Sequence, residues 1–391
     1  MKHAINTLLF FLLPLVALGQ NNGERFVPLE QASKKTNSTG VVVIQNGETV
    51  FNYHKGASHE MMNTMSMTKS VVGLAFAKLL SDGKIDSVDI PVAHYYPEWQ
   101  QGQKEDITLR HLLTHTSGLQ NVASTRKEIY PSSDVLQLAL CASVVDSPGT
   151  KWSYNNKAVN ILSGIVKKVT GEEIDIYLEK KIFRPLDITE FDWKTDESGN
   201  HYAMSGLILK PNDMAKLGQL VLQKGSWNGQ NLIVEEEINR MLSQGSSESK
   251  NYGLLWYRIP KNIKGVINED LINEMKKAGL EEEWIEKVQA IKGTYEKESE
   301  LKKAYFSQFS RAELGKFRAM IDKKDLKLAN ATISGPFIGY EARGYLGQTL
   351  VIYPELDLVA VRMIQDSEDY NPKTDGFGNF SDLVYKLASQ N

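Results

Sequence analysis

Apolar positions in this chain recur with two different periods, and the switches between them outline its elements. Residues 41–44 and 49–53 are short apolar-rich stretches on either side of Asn46-Gly47. Both turn residues tolerate positive φ, so the pattern predicts a β-hairpin. Residues 70–80 (SVVGLAFAKLL) are apolar almost throughout, with Gly73, Ala75 and Ala77 allowing close packing, and predict a buried helix. A mixed stretch over residues 85–101, punctuated by Pro91 and Pro97, reads as loop-rich. Helices are predicted over 109–113, 135–142 and 158–169, the last closed by Gly171, and over 213–222 with Asp213 as N-cap. Residues 349–353 and 358–363 read as strands joined by Pro354-Glu355-Leu356-Asp357, and 380–388 as a closing helix.

Residues 261–330 break this pattern. They are 40% charged, against 24% for the whole chain. Trp284, Val288 and Ile291 fall at i, i+4, i+7, and Leu314, Phe317 and Ile321 at i, i+3, i+7. Amphipathic helices on a solvated segment fit that spacing, and the aromatic content argues against a disordered linker. The segment is read as a helical subdomain inserted into the main fold. It precedes the motif strand at 342–344, so it is expected to border the cleft and restrict which substrates enter.

The first residues have another character. Lys2 and His3 precede an apolar run over residues 8–18, followed by Gly19. A positive start, a short apolar stretch and small residues at its end predict a secretory signal peptide over 1–19. The run is too short for a spanning helix. No cysteine stands at the expected cleavage site, which argues against a lipid anchor. The expected product, from residue 20 onward, is therefore periplasmic or secreted, with no stable membrane anchor. The only cysteine, Cys141, excludes an intramolecular disulfide, so stability must come from the core. A formal net charge of −3 with no basic field argues against a nucleic-acid partner.

Candidate chemistry begins at Ser66-Met67-Thr68-Lys69. A serine hydroxyl needs a nearby base, and on a helix i and i+3 share a face, so Lys69 is placed to serve Ser66. The tetrad alone is common by chance. Tyr154-x-Asn156 lies just ahead of the helix over 158–169. A tyrosine beside a lysine can act as a base, and an asparagine can hold a substrate amide. Arg343-Gly344-Tyr345-Leu346-Gly347-Gln348 opens the last hairpin, and a glycine at a strand edge lets a substrate approach backbone N–H groups.

In this order the three elements resemble the serine β-lactamase and penicillin-binding-protein superfamily, in its class C β-lactamase, esterase and D-aminopeptidase branch. The stretch Leu112-Leu113-Thr114-His115-Thr116-Ser117-Gly118-Leu119 matches a family segment almost letter for letter. Ser205-Gly206-Leu207, Tyr252-Gly253-Leu254-Leu255-Trp256 and Ile352-Tyr353-Pro354-Glu355 add to it. The resemblance covers residues 35–257 and 335–390. It implies an α+β sandwich, an antiparallel sheet from both chain ends flanked by helices, with an all-α lobe beside it and the site between. It also implies Ser66 as acylated nucleophile, Lys69 as its polarising partner, Tyr154 as general base and Asn156 as substrate holder. The N–H groups of Ser66 and Tyr345 would form the oxyanion hole beside Gly344, with no metal or organic cofactor. The implied partner is a small-molecule or peptide acyl donor.

One departure bears on specificity. The family's third motif begins with a lysine or histidine, whereas here it reads Ala342-Arg343-Gly344. Arg343 is adjacent and stands with Asn156, Gly344 and Tyr345 as a candidate substrate-binding residue, although consecutive strand side chains point to opposite faces. The departure favours an ester or amide substrate over a β-lactam, and leaves open a D-amino-acid peptidase or a weakened binding protein on the same scaffold. Other candidates read as ordinary. His111 and His115 have zinc-pair spacing but no third ligand nearby. His54, His59, His94 and His201 are scattered, and Glu281-Glu282-Glu283 fits a solvated helix start better than a calcium site. Ser117-Gly118 lacks a nucleophile elbow. Asn37, Asn330 and Asn379 head glycosylation sequons that mean little in a bacterial host.

Overall fold

A computed structural model describes residues 22–390 apart from 57–59, 123 and 325. The expected signal peptide over 1–19 and His59 lie outside the described residues. The frame is a seven-stranded antiparallel sheet of β1 (Gly40–Gln45), β2 (Glu48–His54), β3 (Tyr257–Ile267), β4 (Gly293–Tyr295), β5 (Asn330–Gly344), β6 (Gln348–Tyr353) and β7 (Leu358–Met363). Their order across the sheet is β2-β1-β7-β6-β5-β3-β4, so strands from both chain ends meet at the β1–β7 pair. This is the β-lactamase/transpeptidase-like α+β architecture that the motifs implied.

The inner strands are apolar on both faces because both faces are covered. Val42, Leu350, Ile352, Val359 and Val361 point into the larger core. That core is filled by α2 (Thr68–Ser81), α3 (Asn156–Thr170) and α4 (Pro211–Leu222). Their alternates Val41, Val43, Val351, Leu358 and Ala360 meet α1 (Val27–Lys35) and α9 (Phe380–Ala388) on the opposite face. Burying both faces of β6 and β7 is the main stabilisation of the sheet, since each fully buried aliphatic side chain contributes about 1.5–3 kcal/mol.

Two local readings change. Helix α4 starts at Pro211 with Lys210 as N-cap, so Asp213 lies inside the first turn and pairs with Lys216. Proline's fixed φ and missing N–H favour the first helical position, which outcompetes the carboxylate cap. Ser66 occupies a 3₁₀ turn (Met65–Met67) that leads into α2 rather than the helix itself.

The charged segment carries α5 (Glu269–Lys277), α6 (Glu282–Gln289), α7 (Glu298–Gln308) and α8 (Arg311–Lys323). Leu271, Met275, Val288, Tyr305, Phe309 and Phe317 form a core of their own. The segment leaves β3 after Ile267 and returns at Asn330, where Asn330 pairs with Val266. The motif glycine Gly344 is at the other end of the fifteen-residue strand β5, which spans on the order of 45 Å at roughly 3.3 Å per residue. No described residue of 261–330 is among those lining the cleft at Ser66. The expectation that this subdomain borders the cleft is therefore corrected: it enters at the far end of the strands.

Candidate active site

The turn that presents Ser66 is held from several sides. Asn63 Oδ1 accepts from the Met65 N–H at 2.8 Å, and Met65 has a φ of 51°, a left-handed conformation rare outside glycine. Thr68 Oγ1 donates to the Met65 carbonyl at 2.7 Å, and the Thr64 and Thr68 hydroxyls are 2.9 Å apart. The Thr64 N–H reaches Leu207 O at 2.8 Å, tying the turn to a small second sheet. Ser66 is left half-buried at the head of α2.

Lys69 is 2% exposed, and its Nζ lies 3.0 Å from Ser66 Oγ. The same nitrogen donates to Met204 O at 2.7 Å and sits 4.8 Å from the centre of the Tyr154 ring. No ion pair joins it to a described carboxylate. Burial penalises the ammonium and pushes the lysine well below its usual range. The same burial pushes the Tyr154 phenol up to about 12, against a smaller downward pull from its hydrogen bond with Ser66. In the resting site the tyrosine therefore keeps its proton, while the lysine gives one up readily.

Tyr154 and Asn156 are placed by the start of α3. Asn155 caps that helix through Oδ1 to the Ala158 N–H at 3.0 Å, and its Nδ2 donates to Leu119 O at 2.8 Å. Its N–H donates to His115 Nδ1 at 3.1 Å, and the His115 ring lies 4.5 Å from that of Tyr154. Burial and the nearby Lys69 push His115 well below its usual range, so it is a neutral packing partner. His111 accepts the Thr108 N–H through Nδ1 in a capping box, so each histidine of the zinc-like pair gives its Nδ1 to a backbone donor.

Gly344 brings the motif strand against the nucleophile turn. A Cβ there would lie 2.7 Å from Thr64 O and 3.1 Å from Met65 Cβ, so only glycine permits this approach. β5 is not an edge strand along its length, since β3 covers its other side. Its last paired residue on that side is Glu341, opposite Tyr257, and the edge is free of β3 from Ala342 to Gly344. Ser66, Asn156, Tyr345, Arg126, Lys194 and Asp366 line a cleft of about 470 Å³.

Arg343 is the predicted site residue that the fold sends elsewhere. It shares a face with Glu341, pairs with that carboxylate and stands over the Tyr257 ring. Glu341 in turn accepts from Ser381 on α9, beneath the sheet's other face. Ala342 is fully buried in the larger core. Two features of the site carry no signal in the sequence. The Met204 carbonyl that receives Lys69 has no side-chain signature, and Arg126 and Lys194 stand in stretches without a motif.

The β-lactamase family profile matches residues 25–377. The chain belongs to the β-lactamase family. Among relatives, PbpX of Bacillus subtilis (strain 168), a candidate penicillin-binding protein, is 26% identical over 275 residues, 61% of this chain and 67% of PbpX. Esterase EstB of Burkholderia gladioli is 24% identical over 192 residues, 41% of this chain and 48% of EstB, so the match spans about half of that enzyme. A candidate 6-aminohexanoate-dimer hydrolase from Bacillus anthracis has a solved structure similar at a TM-score of 0.65 and 17% identity. That similarity covers 92% of this chain and 81% of the other, and shows a shared fold.

Proposed function

We propose that this protein is an exported serine hydrolase that forms an acyl-enzyme on Ser66 and acts on a carboxylic ester or amide. The observation that carries the reading is the 3.0 Å approach to Ser66 Oγ of a buried Lys69 that no described carboxylate pairs. A lysine held below its usual range gives up its proton more readily than an exposed one, which suits it to accept the serine proton. Ser66 Oγ then attacks the acyl carbonyl, and the oxyanion is met by the N–H groups of Ser66 and Tyr345. Tyr154, which holds its proton at neutral pH, donates it to the leaving alcohol or amine as the carbonyl re-forms. It is re-protonated through Lys69, and water releases the acid by the reverse sequence. Tyr154 thus serves first as an acid, a change from the base role implied by resemblance.

Support for an ester or amide comes from Ala342, which places a methyl group where related enzymes carry the cation that meets a β-lactam carboxylate. The likeness to EstB, an esterase, points the same way. The likeness to PbpX supports a second reading, a β-lactam- or D-amino-peptide-directed enzyme. The N-terminal apolar run supports export.

A fluorophosphonate probe followed by peptide mass spectrometry tests the mechanism. Label on Ser66, lost in Ser66→Ala, is expected; no label from several acyl donors would leave a binding protein. Comparing p-nitrophenyl esters, nitrocefin and D-alanyl amides then separates the two substrate readings.

A further inference from the structure

Arg362 lies on β7 and is fully buried, on the sheet face away from α2. A buried guanidinium needs acceptors for its N–H groups, and here these come from three separate segments. Nη1 donates to Leu346 O at 2.6 Å, in the hairpin turn between β5 and β6. Nη2 reaches Thr36 O at 3.0 Å, just after α1, and Asp375 O near the C-terminus. Nε donates to Ser38 Oγ at 2.9 Å. No ion pair joins Arg362 to a described carboxylate, so its charge is held by oriented carbonyls.

The turn it holds is strained. Leu346 has a φ of 68°, left-handed for a bulky non-glycine residue. Gly347 follows at a φ of 77°, and a Cβ there would lie 2.8 Å from Arg362 Nη1 and 2.2 Å from Gly376 O. The turn is thus pinned between the arginine and the 371–376 segment, and its first residue is Tyr345, at the cleft wall. A strained turn persists only where its surroundings over-determine it, and the Leu346 carbonyl is the atom by which the arginine does so.

We infer that Arg362 is a positioning residue for catalysis, holding the Tyr345–Gly347 turn so that the Tyr345 N–H faces the reacting carbonyl above Ser66. The inference rests on the acyl-enzyme reading and adds to it a residue that never touches substrate. Arg362 acts through the Leu346 carbonyl, from the opposite face of the sheet. Loss of the contact lets Leu346 relax towards negative φ, which turns the neighbouring peptides. An oxyanion donor that drifts lowers the chemical step and leaves ground-state binding in place.

The test compares Arg362→Lys and Arg362→Gln with Ser38→Ala. Lysine keeps the charge without the fork. Glutamine leaves no charge unpaired, so it is the variant to rely on if lysine does not fold. Both are expected to lower kcat about tenfold or more on a p-nitrophenyl ester with KM within about twofold, and to slow fluorophosphonate labelling of Ser66 in parallel. Ser38→Ala removes a different acceptor of the same guanidinium, and is expected to lower Tm while leaving kcat unchanged. Adding Leu346→Gly to the Arg362 variant should restore part of kcat, because glycine takes the left-handed conformation without strain. A folded Arg362 variant with wild-type kcat, or equal kcat loss in Ser38→Ala, would overturn the inference. Absence of label on wild-type Ser66 would instead overturn the acyl-enzyme reading beneath it.

Discussion

Asn160 Oδ1 accepts a hydrogen bond from the Met204 N–H at 3.1 Å, so a residue one turn into α3 fixes the loop whose carbonyl receives Lys69. The lysine's position is thus set by two segments distant in sequence. Asn160→Ala should let the Met204 carbonyl drift. The lost buried hydrogen bond is worth about 1–3 kcal/mol, read as a lower Tm. Kcat should fall about tenfold, because misplacing a reacting group by an ångström can be costly even from a remote change. Unchanged kcat alongside a lowered Tm would reduce Asn160 to a purely structural role.

Burial sets the pH profile. Lys69 is held well below its usual range, so activity should fall as pH drops through its lowered pKa and the neutral amine is lost. Tyr154, near about 12, should retain its proton across the usual assay range, giving no basic limb at moderately alkaline pH. Measuring kcat/KM against pH checks both limbs. Lys69→Arg should be inactive throughout, since a guanidinium does not deprotonate in this range.

Gly344→Ala should drive a methyl group into Thr64 O and part β5 from the nucleophile turn. Overpacking of this kind costs about 1–3 kcal/mol. Thermal melts should register the loss, and ester hydrolysis should fall more steeply than stability because the clash lies at Ser66. Equal hydrolysis by the variant would show that the close approach is not needed for turnover.

Arg343→Ala should change kcat by less than about twofold. The side chain is 62% exposed, is held by the buried Glu341 carboxylate and is not among the residues lining the cleft at Ser66. A loss of tenfold or more would place Arg343 in substrate recognition after all.

The inserted subdomain offers a coarser check. Replacing residues 267–329 with a two-residue Asn-Gly turn joins Val266 to Asn330, which already pair. Substrate preference should be unchanged, because the removed helices have a separate core and line no part of the cleft. A broadened ester range in the truncated enzyme would restore the idea of a cleft border.

Much of this protein is written in local pattern. Asn46-Gly47 sets the first hairpin, where β1 and β2 meet, because few residue pairs take positive φ without strain. The doubly buried runs of β6 and β7 announce central strands. Ser66, Lys69, Tyr154 and Gly344 stand out as residue types whose chemistry needs company, and strand alternation alone puts Arg343 on the face opposite Gly344. Tertiary structure decided the rest. It gave Lys69 a backbone carbonyl and, among the described residues, no carboxylate, and it removed enough water to move Lys69 and Tyr154 in opposite directions. It carried the charged helices to the far end of β5, and closed Arg362 around the turn beside Tyr345. Side-chain identity and periodicity are properties of neighbours in sequence. Desolvation, and the carbonyls that come to face a buried charge, belong to segments that meet only once the sheet has closed on its helices.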